Sequence, residues 1–162
     1  MCKKHNIRLI GPNVFGFSNT TTGCNATFGT KLPFKGEIAM ISQSGALDLA
    51  LTDWTHIERV GLANMFSIGN MANVCQGDLI EVLADDDNTR AICQYIEGVH
   101  TGRRFFNICK EASKMKPIVA LKAGKSSRGE KRLQPATQDL WRERAGSTKP
   151  HSDNPGLLRQ RR

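Results

Sequence analysis

Four short apolar runs, separated by polar turns and helix-forming stretches, constrain the fold of this chain more than any other feature. The runs predict buried strands at 38–42, 63–68, 91–96 and 117–121. The stretches between them predict helices at 45–57, 78–83 and 101–114. Runs that are apolar throughout are typical of parallel strands covered on both faces. The alternation therefore predicts an α/β fold: a three-layer, flavodoxin-like, doubly wound parallel sheet.

The helical periods predict which side chains face the core. In the first helix they are Leu47, Leu51 and Trp54, with Ala50 on the same side. In the second helix they are Leu79, Ile80, Val82 and Leu83. In the third helix they are Phe105, Ile108, Cys109 and Ala112, with Thr101 as a candidate N-cap. Ahead of the regular pattern we expect a short strand at 7–10 and a surface connection over 16–30, which is rich in Gly, Asn and Thr.

Small and polar residues gather where the predicted strands end. They are Ser42-Gln43-Ser44-Gly45, Ser67-Ile68-Gly69-Asn70, Glu97-Gly98 and Gly124-Lys125-Ser126. Parallel strands bring their carboxyl ends to one edge, where ligands bind. The first turn precedes a helix, whose N-terminal N–H groups favour anions. Ser42 or Ser44 can cap that helix and Gly45 allows close approach. This predicts an anion site, with an ordinary capped turn as the alternative.

The positive charge of the chain is concentrated in its tail. The net charge is +8, of which +6 comes from Lys125 onward, and the body shows no basic stripe interleaved with aromatic residues. We therefore expect no nucleic-acid partner; the alternative is weak, salt-dependent binding by the basic tail. Residues 132–162 have no sustained apolar period, which predicts a disordered or poorly packed tail.

Composition also limits the compartment and the chemistry. No apolar run reaches the ~20 residues that a membrane span requires, and no signal-peptide stretch is present, so we expect a cytoplasmic protein without a membrane partner. The five cysteines are scattered without a CxxC or Cys/His cluster. This pattern predicts free thiols, no disulfide framework and no metal site.

Six segments in order resemble the NDP-forming acyl-CoA synthetases, which include ADP-forming acetate–CoA ligase and are related to the succinyl-CoA ligase α subunit. They are Ile7-Arg8-Leu9-Ile10-Gly11-Pro12-Asn13, Gly23-Cys24-Asn25-Ala26-Thr27-Phe28, Ile41-Ser42-Gln43-Ser44-Gly45-Ala46-Leu47, Ser67-Ile68-Gly69-Asn70-Met71-Ala72, Tyr95-Ile96-Glu97-Gly98-Val99 and Leu121-Lys122-Ala123-Gly124-Lys125. Each segment alone is a weak signal, but six with matching order and spacing are specific. The resemblance covers residues 1 to about 131.

The resemblance implies a mechanism. Such enzymes convert acyl-CoA and phosphate to acyl phosphate, pass the phosphoryl group to a histidine and then to ADP. It implies that Ser42, Gln43, Ser44 and Gly45 hold the phosphate and the phosphohistidine loop. It implies that Glu97 bonds the histidine, where a solvated strand-end carboxylate is the alternative. Asn13, Gly69 and Asn70 would lie near substrate or CoA.

The resemblance also implies partners and domain boundaries. The intact enzymes use CoA and ADP/ATP with Mg²⁺, a small acyl substrate, and CoA-binding and ATP-grasp domains or subunits; we expect none of these cofactors to be held tightly by this chain. Residues 1–33 would be the end of a CoA-binding Rossmann domain and its linker, 34–131 the succinyl-CoA ligase-like flavodoxin domain, and 132–162 an aberrant basic tail.

One expected motif is not in the sequence. The family's catalytic histidine lies in a Ser-His-Thr-Gly-Ser-Leu-Ala-Gly loop after the Ala-Gly-Lys strand. The four histidines here are in other contexts: His5, His56, His100 and His151. We therefore expect the chain alone to be inactive. The alternatives are a non-catalytic flavodoxin-like module binding phosphate, FMN or CoA, and a fragment of a protein acetyltransferase with synthetase-like domains.

The tail suggests where the histidine loop went. Synonymous codons for residues 136–142, Ala-Thr-Gln-Asp-Leu-Trp-Arg, can be chosen so that reading two bases along gives His-Thr-Gly-Ser-Leu-Ala-Gly; Pro135 supplies the preceding Ser and Glu143 completes the last codon. We hypothesise that one base was lost near the codon of Lys131.

Sequencing the gene tests this hypothesis directly. We expect a frame other than the translated one to encode the histidine loop in the region after Lys131. The hypothesis fails if no frame of that region encodes it.

Overall fold

Six strands and three helices make up the described part of the chain, residues 2–124 apart from the side chain of Lys3, in a computed structural model. The strands are β1 Gly16–Asn19, β2 Cys24–Thr27, β3 Lys35–Ser42, β4 Leu62–Ser67, β5 Ala91–Ile96 and β6 Ile118–Lys122. The helices are α1 Gly45–Glu58, α2 Gln76–Asp85 and α3 Gly102–Ala112, preceded by a short 3-10 helix at Cys2–His5.

The strands form one sheet in the order β2-β1-β4-β3-β5-β6. The last four strands are parallel: β3 pairs with β4 and β5, and β5 with β6. From β3 the chain first crosses to β4 on one side and later returns to β5 on the other. Doubly wound folds bind ligands at such a reversal, which here lies at the carboxyl ends of β3 and β5. The predicted α/β architecture is therefore confirmed.

Helices cover both faces of the sheet. Side chains alternate along a strand, so Ala39 and Ile41 point to the opposite face from Met40. The first pair packs in one core with α2 and α3, whereas Met40 packs with Met65 and with the partly buried Leu47 and Leu51 of α1. The predicted stripe of α3 also packs against the first core. These contacts make the three layers of the fold.

Three predicted core positions are wrong, and one of them is Ala50, which is exposed. Trp54 is 44% exposed and Val82 is 68% exposed. The residues of α1 that are buried are polar: Asp48, Thr52 and Thr55. The threonine hydroxyls can face the sheet because Thr52 Oγ1 donates to the carbonyl of Asp48 (2.9 Å) and Thr55 Oγ1 to that of Thr52 (2.7 Å).

The N-terminal part differs most from expectation. Residues 16–30, predicted as a surface connection, contain the hairpin β1–β2, and β1 extends the sheet by pairing antiparallel with β4. Residues 7–10 form no strand; they run beside the loop after β4, where the N–H of Val74 donates to the carbonyl of Leu9 (3.2 Å). Loop-to-loop hydrogen bonds are thus found where a short strand was predicted.

Three further findings concern the described residues. No helix among residues 2–124 is long and apolar enough to span a membrane. Within the same range, no three or more His, Cys, Asp or Glu side chains are grouped so that they could hold a metal ion. The predicted disordered or poorly packed tail, residues 132–162, lies outside the described residues.

The main chain at the start of β3 lies very close to that of Gly61, the residue just before β4. A Cβ on Gly61 would overlap the main chain of Lys35 and Gly36. We expect Gly61→Ala to lower the free energy of unfolding by about 1–3 kcal/mol, because backbone has to move to accept the methyl group. Urea denaturation measures the change. Gly102→Ala is the control, since a Cβ at Gly102 meets no atom within 4 Å; equal stabilities of the two variants would contradict the prediction.

Candidate functional site

The strand–turn–helix at the end of β3 forms the first part of the site. Ser42 lies in register with Ser67 of β4 and Tyr95 of β5, so three strand ends meet here. Ser42 Oγ accepts from the N–H of Ser44 (3.0 Å). Ser44 is the N-cap of α1, and its side chain accepts from the N–H of Leu47 (3.4 Å). Of the two candidate caps, Ser44 therefore takes this position.

The close approach expected at Gly45 is made by the chain itself. A Cβ on Gly45 would lie 3.2 Å from the main-chain nitrogen of Phe15. The N–H of Phe15 donates to Ser67 Oγ (3.0 Å), which holds this segment over the turn. The first N–H groups of α1, which have no main-chain acceptor within the helix, therefore lie beside Phe15.

Gln43 connects the β3 turn to the loop after β5. Its side-chain Oε1 accepts from the N–H of Glu97 (2.7 Å) and from that of Gly98 (3.0 Å). Its Nε2 lies 3.9 Å from the sulfur of Met71. The predicted site residues Gln43 and Glu97 are therefore in direct contact. The side-chain oxygen of Gln43 already accepts hydrogen bonds from the main chain of residues 97 and 98.

The carboxyl of Glu97 is partly buried at this edge. Burial raises its pKa above the ordinary value, and the nearby Lys122 ammonium partly opposes this rise. Lys122 Nζ donates to the carbonyl of Glu97 (3.0 Å) and to that of Ala123 (2.6 Å). Glu97 thus differs from a fully solvated strand-end carboxylate.

Asn13, Gly69 and Asn70 form a second cluster at the same edge. The N–H of Asn70 donates to the carbonyl of Pro12 (3.0 Å), and Asn13 Nδ2 lies 3.5 Å from Asn70 Oδ1. Gly69 has φ +46°, and a Cβ there would overlap the carbonyl oxygens of Asn13 and Pro12. The three residues predicted near substrate or CoA therefore lie together, with Met71 linking their loop to Gln43.

Three residues of this edge were missed from the sequence: Asp48, Gln76 and Lys122. Gln76 begins α2, is 1% exposed and donates to Gln43 Oε1 (3.2 Å). No local pattern distinguishes it from any polar residue at a helix start. Lys122 lies within a recognised segment, but only the strand pairing of β5 with β6 brings it beside Glu97.

Asp48 is fully buried in the first turn of α1. Burial raises its pKa to about 6. The hydroxyls of Ser67 and Ser42 are near enough to moderate the rise. However, neither carboxylate oxygen completes a hydrogen bond with a described residue, so desolvation dominates. An acidic residue in a first helical turn is normally solvated, which is why the sequence did not reveal this one.

The fold and the polar residues at the carboxyl ends of its strands define a class of protein. It is a flavodoxin-like α/β domain with polar groups where the strand order reverses, between β3 and β5. The profile of the succinyl-CoA ligase like flavodoxin domain matches residues 35–148. The chain therefore belongs to that family.

Curated relatives agree with this assignment. The chain is 48% identical over 150 residues to the α subunit of acetate–CoA ligase [ADP-forming] I from Pyrococcus furiosus, covering 93% of this chain and 32% of that protein. It is 41% identical over 140 residues to acetate–CoA ligase [ADP-forming] I from Archaeoglobus fulgidus, covering 86% of this chain and 20% of the relative. The chain thus spans about a third or less of the length of these relatives.

Solved structures share the fold. Acetyl-coenzyme A synthetase 1 of Ca. Korarchaeum cryptofilum, described as dinucleotide forming and solved in complex with phosphate and ADP, superposes with a TM-score of 0.79 at 34% identity over 88% of this chain and 32% of that one. ATP citrate lyase of Methanothrix soehngenii gives a TM-score of 0.62 at 19% identity over 87% of this chain and 27% of that one, a likeness in fold alone.

The buried Asp48 makes stability depend on pH. Its pKa is about 6 in the folded chain against 3.8 as the ordinary value. The folded state therefore favours the protonated acid, and this stabilisation is complete below pH 3.8 and lost as the pH rises through 6. We expect Asp48→Asn to be more stable than the parent chain above pH 6, by about 3 kcal/mol.

Urea denaturation between pH 4.5 and 8 measures this effect. The parent chain should lose stability relative to Asp48→Asn across that range. Asp53→Asn, which removes an exposed carboxylate from the same helix, should run parallel to the parent chain. A constant difference between the parent chain and Asp48→Asn at all pH values would contradict the assignment.

Proposed function

We propose that this chain is the succinyl-CoA ligase-like domain of an ADP-forming acyl-CoA synthetase, acting in the cytoplasm, and that it forms two walls of a phosphohistidine site. One wall is the turn Ser42–Gly45 at the start of α1. The other is Glu97 at the end of β5. The observation that carries the proposal is the contact between them, since Gln43 Oε1 accepts from the N–H of Glu97 at 2.7 Å.

The proposed reaction is the reversible conversion of acyl-CoA, phosphate and ADP to a carboxylic acid, CoA and ATP. Phosphate attacks the thioester carbonyl and CoA leaves as the thiol, which gives an acyl phosphate. A histidine nitrogen takes the phosphoryl group from the acyl phosphate and releases the carboxylate. The phosphohistidine then passes the group to a terminal oxygen of ADP.

The two walls would contribute differently to this sequence. The first N–H groups of α1 can donate to phosphoryl oxygens, and the positive end of its dipole favours the anion. The Glu97 carboxylate can accept from an imidazole N–H, which selects one tautomer and supports the charged ring. The raised pKa of Glu97 is compatible with this placement in a partly desolvated position.

The other parts of the reaction are assigned to partners. We propose that a CoA-binding domain or subunit supplies the thiol, and that an ATP-grasp domain or subunit binds ADP or ATP with Mg²⁺. A small acyl substrate would bind near the cluster of Asn13, Gly69 and Asn70. The names of the relatives support this division, because two from Pyrococcus furiosus are called α subunits and are about three times as long as this chain.

We also propose the domain boundaries 1–33, 34–131 and 132–162 and the inactivity of the chain by itself. The support is the sequence, in which no Ser-His-Thr-Gly-Ser-Leu-Ala-Gly loop follows Gly124. His56 Nε2 lies 2.8 Å from the carbonyl of Leu32, away from the proposed walls.

A phosphorylation assay tests the proposal. The full chain is incubated with acetyl phosphate and, separately, with radiolabelled ATP. We expect no acid-labile phosphohistidine on the chain, because the nucleophile is not in frame. Acid-labile label on this chain would contradict the proposed inactivity.

A frame-restored chain provides the positive arm. With one base restored near the codon of Lys131, the histidine loop follows β6, and we expect label from acetyl phosphate. Glu97→Gln in that chain should lower the labelling rate on the order of tenfold, as for loss of a hydrogen bond to a charged group. Glu58→Gln, at an exposed position on α1, is the control. Equal labelling of both variants would remove Glu97 from the site.

A further inference from the structure

The two residues after β5 are held entirely by side chains. Main-chain polar groups of a loop usually pair with other main chain or with water. Here Gln43 Oε1 accepts from the N–H groups of Glu97 (2.7 Å) and Gly98 (3.0 Å). The carbonyl of Glu97 accepts from Lys122 Nζ (3.0 Å), and that of Gly98 from Gln76 Nε2 (2.7 Å). All four polar groups of this two-residue segment therefore have side-chain partners.

These partners come from three separate elements. Gln43 follows β3, Gln76 begins α2 and Lys122 ends β6. The two glutamines are joined, since Gln76 Nε2 also donates to Gln43 Oε1 (3.2 Å). Gln76 is 1% exposed, so water does not compete for its amide. Hydrogen bonds from three side chains thus hold the Glu97–Gly98 segment just after the end of β5.

We propose that Gln43, Gln76 and Lys122 are positioning residues that hold the main chain of Glu97 and Gly98, and so orient the Glu97 carboxylate before any ligand binds. This inference rests on the proposed function for its consequence in catalysis. It also adds a role for Gln43, whose side-chain oxygen holds the main chain of Glu97 and Gly98. Preorganised polar groups of this kind cost no rearrangement when charge develops.

Amide hydrogen exchange in the full chain tests the positioning. Gln43→Met removes the acceptor of two N–H groups, and we expect the Glu97 and Gly98 amides to exchange about tenfold faster. Gln76→Met retains Gln43 but removes the hydrogen bonds from Gln76 Nε2 to Gln43 Oε1 and to the carbonyl of Gly98. We expect a smaller acceleration of amide exchange at Glu97 and Gly98 than in Gln43→Met. Gln43→Glu keeps an acceptor oxygen and should retain slow exchange.

Gln94→Met is the matched control. Gln94 is a buried glutamine of β5, 3% exposed, and it takes no part in the hydrogen bonds that hold the main chain of Glu97 and Gly98. Its replacement should leave the Glu97 and Gly98 amides unchanged. The proposal is overturned if Gln43→Met and Gln76→Met both exchange at the parent rate, or if Gln94→Met accelerates these two amides equally.

Titration with inorganic phosphate tests the consequence for the site. The ¹³C chemical shift of the Glu97 carboxyl is followed as inorganic phosphate is added to the full chain, and its concentration dependence gives the affinity. Gln76→Met should weaken phosphate affinity at least threefold. It should shift the unfolding midpoint of the chain no more than Gln94→Met does. Unchanged affinity would overturn the link between Gln76 and the site. If the parent chain shows no phosphate response, the proposed function fails, while the exchange measurement still decides the positioning.

Discussion

The side-chain oxygen of Gln43 makes the contacts on which the carboxyl edge of this sheet depends. A parallel ladder brings the ends of β3 and β5 together, and just beyond β3 the N–H of Gln43 still donates to the carbonyl of Tyr95 (3.2 Å). Gln43 is the first residue beyond β3, and it carries the connection onward to the main chain of Glu97 and Gly98. The turn Ser42–Gly45 is consequently hydrogen-bonded to the segment that carries the Glu97 carboxylate.

The electrostatics of this edge are less simple than a helix N-terminus suggests. The dipole of α1 favours an anion at Ser44 and Gly45. The buried carboxylate of Asp48 lies in the same first turn, and with a pKa of about 6 it is mostly ionised at neutral pH. Its negative charge then opposes the dipole. Asp48 is therefore an unfavourable neighbour for the anion site proposed at this turn, as long as its carboxyl is ionised.

Regular elements were predictable because their signals are local. The apolar runs of β3 to β6 and the helical stretches between them indicated the four parallel strands and the three α-helices of residues 2–124. The N-terminal hairpin was not predictable in the same way, because β1 acquires its partners from β4 and β2, and its own four residues, Gly-Phe-Ser-Asn, show little pattern. Trp54 and Val82 were misplaced since helical spacing defines a stripe but not which side of it meets the sheet.

The sequence by itself determined the α/β class, the turn at Ser42–Gly45, the carboxylate at Glu97 and, through six ordered segments, the family. These are properties of residues close together along the chain. Only the tertiary structure decided that Gln43 faces Glu97, that Gln76 and Lys122 brace the same loop, and that Asp48 is buried. Each of those depends on which strands are neighbours, and burial and hydrogen bonding between distant residues follow from that order rather than from local pattern.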